Sequence, residues 1–343
     1  MVEPETENHA IRFGLLLSGQ HLIGADVTTH LDEHLEQTRL AGEQGFAGVF
    51  YSEHFLTPTL VRPHQMVFLA RVAAEAGKMQ VGTALTLLPL KNPVELADMA
   101  ATLDHITHGR FILGLGLGYR EIEYKAFGLT RAMAPAIFDE RLAVLKRLWS
   151  EEEITYQGHG FTLEKATCTL RPVQRPHPPI WIGANTEGAI RRAAMHGDAW
   201  LINPHARLDV LTEQIRIYHE TRVAHGLPRP ENFPLVREVF VAETRTRAEA
   251  LAYPALEQKY RTYVEAGQHR AMPPTDPLDV PLPQLIQRRF IIGTPDDVIR
   301  DLETCIEQLG VNYIIVRMQW PGMAHRATAR AIKLMGKYVI PSF

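Results

Sequence analysis

An alternation repeated eight times limits the fold of this 343-residue chain more than any other feature: a short apolar segment, then a longer helical one. The apolar segments are residues 11–17, 48–52, 81–88, 111–117, 180–183, 199–202, 236–241 and 312–318. Helical patterns follow near 31–44, 64–76, 94–107, 137–149, 187–195, 207–223, 246–263 and 324–338. Asn92-Pro93 opens the third helix, with proline at an early position where its missing N–H costs nothing. Strands that each lead into a helix imply a parallel sheet with right-handed crossovers. Eight units suggest closure into an α/β (β/α)8 TIM barrel; an open doubly wound sheet is the rival fold.

Two insertions interrupt the pattern. Residues 154–170, with the turn-forming Gln157-Gly158-His159-Gly160, read as a β-hairpin, and residues 267–283, rich in proline and polar side chains, as a mobile loop. No internal repeat is visible, so residues 1–343 are expected to form one domain. Charge is balanced at −3 with no basic or acidic block, which argues against nucleic acid or anionic lipid as partners. No apolar run approaches the ~20 residues that span a bilayer, and the polar, acidic start is unlike a secretory signal. Two cysteines make no disulfide framework, so a cytoplasmic location is the expectation.

In such a barrel the chemistry sits at the carboxyl ends of the strands. Ser52-Glu53-His54-Phe55 follows strand two, and His54 is the candidate acid–base group because imidazole titrates near neutral pH. Glu53 reads as a structural partner or surface charge. Strand four carries Gly114, Gly116 and Gly118, then Tyr119 and Arg120. The spacing is not that of a Rossmann fingerprint; alternate glycines clear space for a flat ligand or pack tightly, and the first reading is favoured. Strand five ends in Gly183-Ala184-Asn185-Thr186 before a helix, which is either a plain strand–helix junction or a phosphate site at a helix N-terminus. Trp200 packs at the barrel rim or borders a planar cofactor. Nothing in the spacing of His105 and His108 supplies a metal site, and none is expected.

Taken together these segments resemble the bacterial luciferase-like family of flavin-dependent monooxygenases and their deazaflavin-using relatives. The carrying residues are Ser-Glu-His-Phe at 52–55, Val-Gly-Thr-Ala at 81–84, Asn-Pro-Val-Glu at 92–95, the glycine-rich 109–118, Pro-Pro-Ile-Trp-Ile-Gly-Ala at 178–184 and Gly-Asp-Ala-Trp at 197–200. The resemblance implies a (β/α)8 barrel, usually dimeric, with the flavin ring over its mouth. It makes His54 the catalytic histidine and Ala84-Leu85 a cis-peptide bulge behind the ring. It places the phosphate at Gly183, Ala184, Asn185 and Thr186, and makes 267–283 a lid. Gly118 and Tyr119 complete the implied cofactor surface. One position departs from luciferase, where strand four carries a basic residue near the phosphate: here Leu117 stands there, leaving Arg120 and Arg317 as candidates for that charge.

The expected function is a monooxygenase that takes reduced FMN from a separate reductase, with O2, to oxidise a small organic substrate. The alternatives are a deazaflavin (F420)-dependent oxidoreductase passing hydride without O2, and a non-catalytic flavin-binding protein. An aldolase or isomerase acting on a sugar phosphate would need a Schiff-base lysine or metal carboxylates at the strand ends, which those segments lack.

Overall fold

A computed structural model of the chain describes residues 10–343; the polar, acidic start at residues 1–9 lies outside the described residues. The eight expected segments form eight parallel strands: β1 (Arg12–Leu17), β2 (Gly48–Tyr51), β3 (Gln80–Thr83), β4 (Phe111–Gly116), β5 (Ile180–Ala184), β6 (Ala199–Ile202), β7 (Pro234–Val241) and β8 (Tyr313–Arg317). Each pairs with the next, and β8 returns to β1 through Arg12↔Tyr313, so the ring closes as a TIM barrel.

The strands bury side chains on both faces, as a sheet covered on each side must. Their outward residues pack on the helices in one large core. Their inward residues fill the lumen with a second core that includes Leu16, Phe50, Ile112, Trp181, Leu201 and Tyr313. Phe50 stacks on Trp181 at 5.7 Å between ring centroids, and Tyr313 meets both rings edge-on at 5.9 and 5.3 Å. Three aromatic rings cannot share a barrel cross-section unless nearby positions carry no side chain. A Cβ on Gly14 would lie 2.7 Å from the Phe50 ring, and one on Gly82 2.5 Å from it. The lumen is therefore plugged, and any cavity must lie above the plug.

The elements depart from the expected pattern in four places. The first helix begins at Val27, because Asp26 caps it by accepting from the Thr29 N–H at 3.2 Å. The third apolar run is not one strand: β3 ends at Thr83, the Ala84–Leu85 peptide is cis, and Thr86–Leu87 resumes pairing with β4 before a 3-10 turn, Leu88–Leu90. A ninth strand, Phe290–Gly293, pairs with the second half of β7 while β8 takes the first half. Its four apolar residues lie directly before the helix Pro295–Leu309, which is capped reciprocally by Thr294 and Asp297. Residues 267–283 are packed rather than loose, since Met272 and Leu278 are buried and Asp276 is ion-paired with Arg289. The insertion at 154–170 is an antiparallel hairpin, Ile154–Gly158 with Phe161–Ala166.

Gly114 is explained by packing and not by a ligand. A Cβ there would run into the Thr83 carbonyl oxygen, and the Thr83 hydroxyl accepts the Gly114 N–H at 2.8 Å. Replacing Gly114 with Ala is expected to cost about 2 kcal/mol or more through backbone overpacking. Gly188, in a helix with open space around its Cβ position, is the control: Gly188→Ala should be neutral or stabilise by up to about 1 kcal/mol. Urea unfolding checks both, and equal stability of the two variants would contradict the close approach of β3 to β4.

Candidate active site

A cavity of about 350 Å³ lies at the carboxyl ends of the barrel strands, and all eight strands or the loops that follow them contribute to its wall. His54, Ala84, Leu85, Gly118, Tyr119, Gly183, Ala184, Asn185 and Thr186 all line it. The imidazole after β2 and the small-residue turn after β5 thus face one space although 129 positions separate His54 from Gly183 (183 − 54).

At one end of the cavity the turn after β5 leads into the helix Glu187–His196. Thr186 is its N-cap, but its hydroxyl makes no capping bond. The opening N–H groups of such a helix have no intrahelical partner and carry partial positive charge. The carbonyls of the turn are held from elsewhere: Trp200 Nε1 donates to the Ala184 oxygen at 3.1 Å, and Gln214 Nε2 donates to the Asn185 oxygen at 2.9 Å. Trp200 is fully buried against Tyr218 and Phe233, so it braces the turn and does not border the cavity. Arg131, exposed to solvent, lines the cavity along with Ala134, Pro135 and Ala189. This uncapped terminus, a free hydroxyl, an amide and one guanidinium suit a phosphate monoester.

The two basic residues that sequence offers for this charge are placed otherwise. Arg120 is buried and donates to the Phe55 carbonyl at 3.1 Å and the Thr57 hydroxyl at 2.8 Å. Arg317 lines the cavity from β8, three strands around the ring from β5. Leu117 faces the same cavity as an apolar side chain.

Above the plug, Leu85 follows the cis peptide and occupies space that two glycines vacate. A Cβ on Gly116 would approach Leu85 Cδ1 to 2.9 Å, and one on Gly183 would collide with the same methyl group. Those glycines on adjacent strands clear room for Leu85 rather than for a ligand directly. The result is an apolar platform in the cavity wall beside β4 and β5, suited to the face of a planar ring.

His54 is held beside this platform. Its Nδ1 lies 3.0 Å from Glu123 Oε1, an oxygen that also accepts the Phe55 N–H at 2.7 Å. Arg120 lies 3.6 Å from the same carboxylate. Burial lowers the His54 pKa to about 4 despite the opposing pull of Glu123. The imidazole is therefore neutral at pH 7, with its proton on Nδ1 toward the carboxylate and a lone pair left on Nε2. Tyr119 meets its ring edge-on at 5.3 Å. Glu53 is the structural partner that sequence suggests: it accepts the Leu87 N–H at 3.0 Å and pairs with Lys91 at 2.5 Å, which fixes the backbone just beyond the cis peptide.

Sequence reasoning did not single out Glu123, Arg131, Arg62 or Tyr263, although all but Glu123 line the cavity. Glu123 stands three residues after Arg120 at the opening of a short helix, a spacing compatible with an ion pair. Tyr263 stands four residues after Lys259 in the helix Arg245–Glu265, which places both on one face. Among the described residues no group of three or more His, Cys, Asp or Glu side chains gathers at a possible metal position. No helix among them is long and apolar enough to cross a membrane.

Comparison with known proteins bears on this arrangement. The model of the luciferase-like monooxygenase family matches residues 11–313. The chain is 23% identical to the oxygenase component of flavin-dependent trigonelline monooxygenase from Acinetobacter baylyi, over 97% of this chain and 96% of that protein. It is 33% identical to the F420-dependent glucose-6-phosphate dehydrogenase of Kineococcus radiotolerans, over 51% of this chain and 53% of that one. Its fold matches the oxygenating constituent of 3,6-diketocamphane monooxygenase from Pseudomonas putida, solved in complex with FMN. That match has a TM-score of 0.81 at 20% identity and covers 97% of this chain and 99% of that one.

The neutral His54 predicts a pH effect of definite sign. Below pH 6.5 the unfolded chain takes up a proton at residue 54 that the folded chain refuses until about pH 4, so stability falls as pH drops through that window. His54→Asn should flatten the dependence of unfolding free energy on pH, measured by urea titration between about pH 6 and 4.5, by up to about 1.4 kcal/mol per pH unit. An unchanged slope would show that the folded imidazole titrates normally.

Proposed function

The chain belongs to the luciferase-like monooxygenase family, and from that premise we propose that it is the oxygenase component of a two-component flavin monooxygenase. It would use reduced FMN supplied by a separate reductase and O2 to oxidise a small organic substrate. The observation that carries this reading is the single cavity in which an uncapped helix terminus, an apolar platform at Leu85 and a neutral, carboxylate-oriented histidine face one another. The similarity to an oxygenase component over nearly the whole chain supports the same reading.

In this account Thr186, the first N–H groups of its helix, Asn185 and Arg131 hold the cofactor phosphate. Leu85, with Gly116 and Gly183 behind it, supports the face of the ring. Bound reduced flavin supplies the electrons that activate O2. The chain's own work is to position the ring, keep water out and move one proton. His54 Nε2 accepts or returns that proton at the reacting oxygen, while Glu123 fixes the tautomer and turns the ring. The turn Gln268–Ala271 contributes Gln268 and Ala271 to the cavity wall; acting as a lid, the segment 267–283 would limit the entry of water during turnover.

The deazaflavin F420 is the second reading. The observation in its favour is the apolar Leu117 at the strand-four position that is basic in luciferase, joined to the local similarity to an F420-dependent dehydrogenase.

Anaerobic fluorescence titration separates the two readings. Saturable binding of reduced FMN, at least about tenfold tighter than that of F420, is expected, and the reverse order would refute the monooxygenase proposal. Removing one charge-assisted phosphate contact typically costs ~1.5–3 kcal/mol, so Arg131→Ala should weaken FMN by about tenfold or more. It should leave riboflavin, which lacks the phosphate, unchanged; an equal loss of both would remove Arg131 from the phosphate site.

A further inference from the structure

The wall of the cavity opposite the Thr186 turn carries more positive charge than the described residues neutralise. Arg317 ends β8, Gln20 follows β1, and Arg62 follows the short strand Leu60–Val61 beyond β2. β8, β1 and β2 are consecutive in the ring, and β1 stands four strands from β5 in either direction. The helix Arg245–Glu265 lays Tyr263 against them.

Among the described residues one carboxylate serves this wall. Glu238 is wholly buried and ion-paired with Lys259; Arg317 Nη1 lies 3.7 Å from it, and its second oxygen accepts the Trp320 indole N–H at 2.5 Å. Among the described residues no carboxylate pairs with Arg62. Among the described residues, Lys259, Arg317 and Arg62 therefore stand against one carboxylate. The buried Nε atoms of Arg62 and Arg317 and the Gln20 side-chain oxygen have no hydrogen-bond partner among the described residues. Gln20 Nε2 at 2.8 Å and Arg317 Nη1 at 3.2 Å both donate to the Tyr263 phenol oxygen.

Tyr263 reports the resulting field. Burial alone would push its phenol up, yet Lys259, Arg317 and Arg62 outweigh burial and pull it down to about 7. Buried cations without counter-ions are costly, and a guanidinium fork matches a planar carboxylate in shape as well as charge. The cofactor phosphate cannot meet this demand, because the turn assigned to it lies across the mouth of the barrel.

We propose that the substrate carries a carboxylate-type anionic group, which Arg62 and Arg317 bind on the wall opposite the Thr186 turn. This assignment names the substrate class for the function proposed above and rests on that reading. Arg62 and Arg317 are binding residues, and no chemical step is assigned to them.

Isothermal titration of the full chain with benzoate and with its neutral isostere benzamide, with and without FMN, tests the proposal. Benzoate should bind at least tenfold tighter than benzamide in both conditions. Arg62→Gln should abolish that preference and leave FMN affinity within twofold, and Arg62→Lys should keep part of it. Arg317→Gln should act likewise; if it fails to fold, the wild-type comparison and the two Arg62 variants decide. Equal binding of benzoate and benzamide, or binding of neither, would overturn the proposal. So would loss of FMN binding in Arg62→Gln as large as the loss of benzoate, since the guanidinium would then serve the cofactor. Preferential benzoate binding by a chain that does not bind reduced FMN would support the cationic wall while refuting the monooxygenase reading.

Discussion

Closure of the strand ring around an aromatic plug is the constraint on which the rest of the structure depends. Phe50, Trp181 and Tyr313 come from β2, β5 and β8, so their mutual contact fixes three separated strands at once. Large aromatic side chains bury about 150–250 Å² each, and no other lumen residue matches Trp181 in size. With the lumen sealed below, ligand chemistry is confined to the rim above. There the carboxyl ends of eight strands bring together side chains that are distant along the chain.

Above the plug the cavity divides by charge as well as by position. The β5 side offers backbone N–H groups, hydroxyl and amide donors, and one exposed guanidinium. The β8–β1–β2 side offers two guanidinium groups, Arg317, which shares Glu238 with Lys259, and Arg62, which pairs with no carboxylate among the described residues. Between them stand Leu85 and a neutral imidazole. Donors on both walls and an apolar platform in the same cavity suit two ligands meeting face to face, one held by its phosphate and the other by an anionic group of its own. That division is what the proposed cofactor and substrate sites have in common.

Much of this was legible from sequence because it rests on local rules. The eight strands, their order and the strand–helix alternation follow from apolar runs and crossover handedness. His54 and the turn at 183–186 stand at strand ends, where position along the chain already implies position in space. The ninth strand, Phe290–Gly293, escaped because four apolar residues before a helix cap are no different from the start of that helix. The glycines were legible as necessary but not as to why: Gly114 yields to the Thr83 backbone, and Gly116 and Gly183 yield to Leu85. Arg62, Arg131 and Tyr263 come from loops and a long helix. Their convergence depends on how those elements fold back across the mouth, and no spacing rule encodes it.

The central claim is that one cavity binds a flavin-type cofactor with its phosphate at the Thr186 helix terminus and its ring against Leu85. A crystal structure of the chain grown with FMN tests it most directly. The account predicts phosphate density within hydrogen-bond distance of the Thr186 hydroxyl and the opening N–H groups of that helix, with the isoalloxazine face on Leu85 and its edge near His54. Phosphate density on Arg62 and Arg317, or a flavin bound outside the barrel mouth, would contradict it.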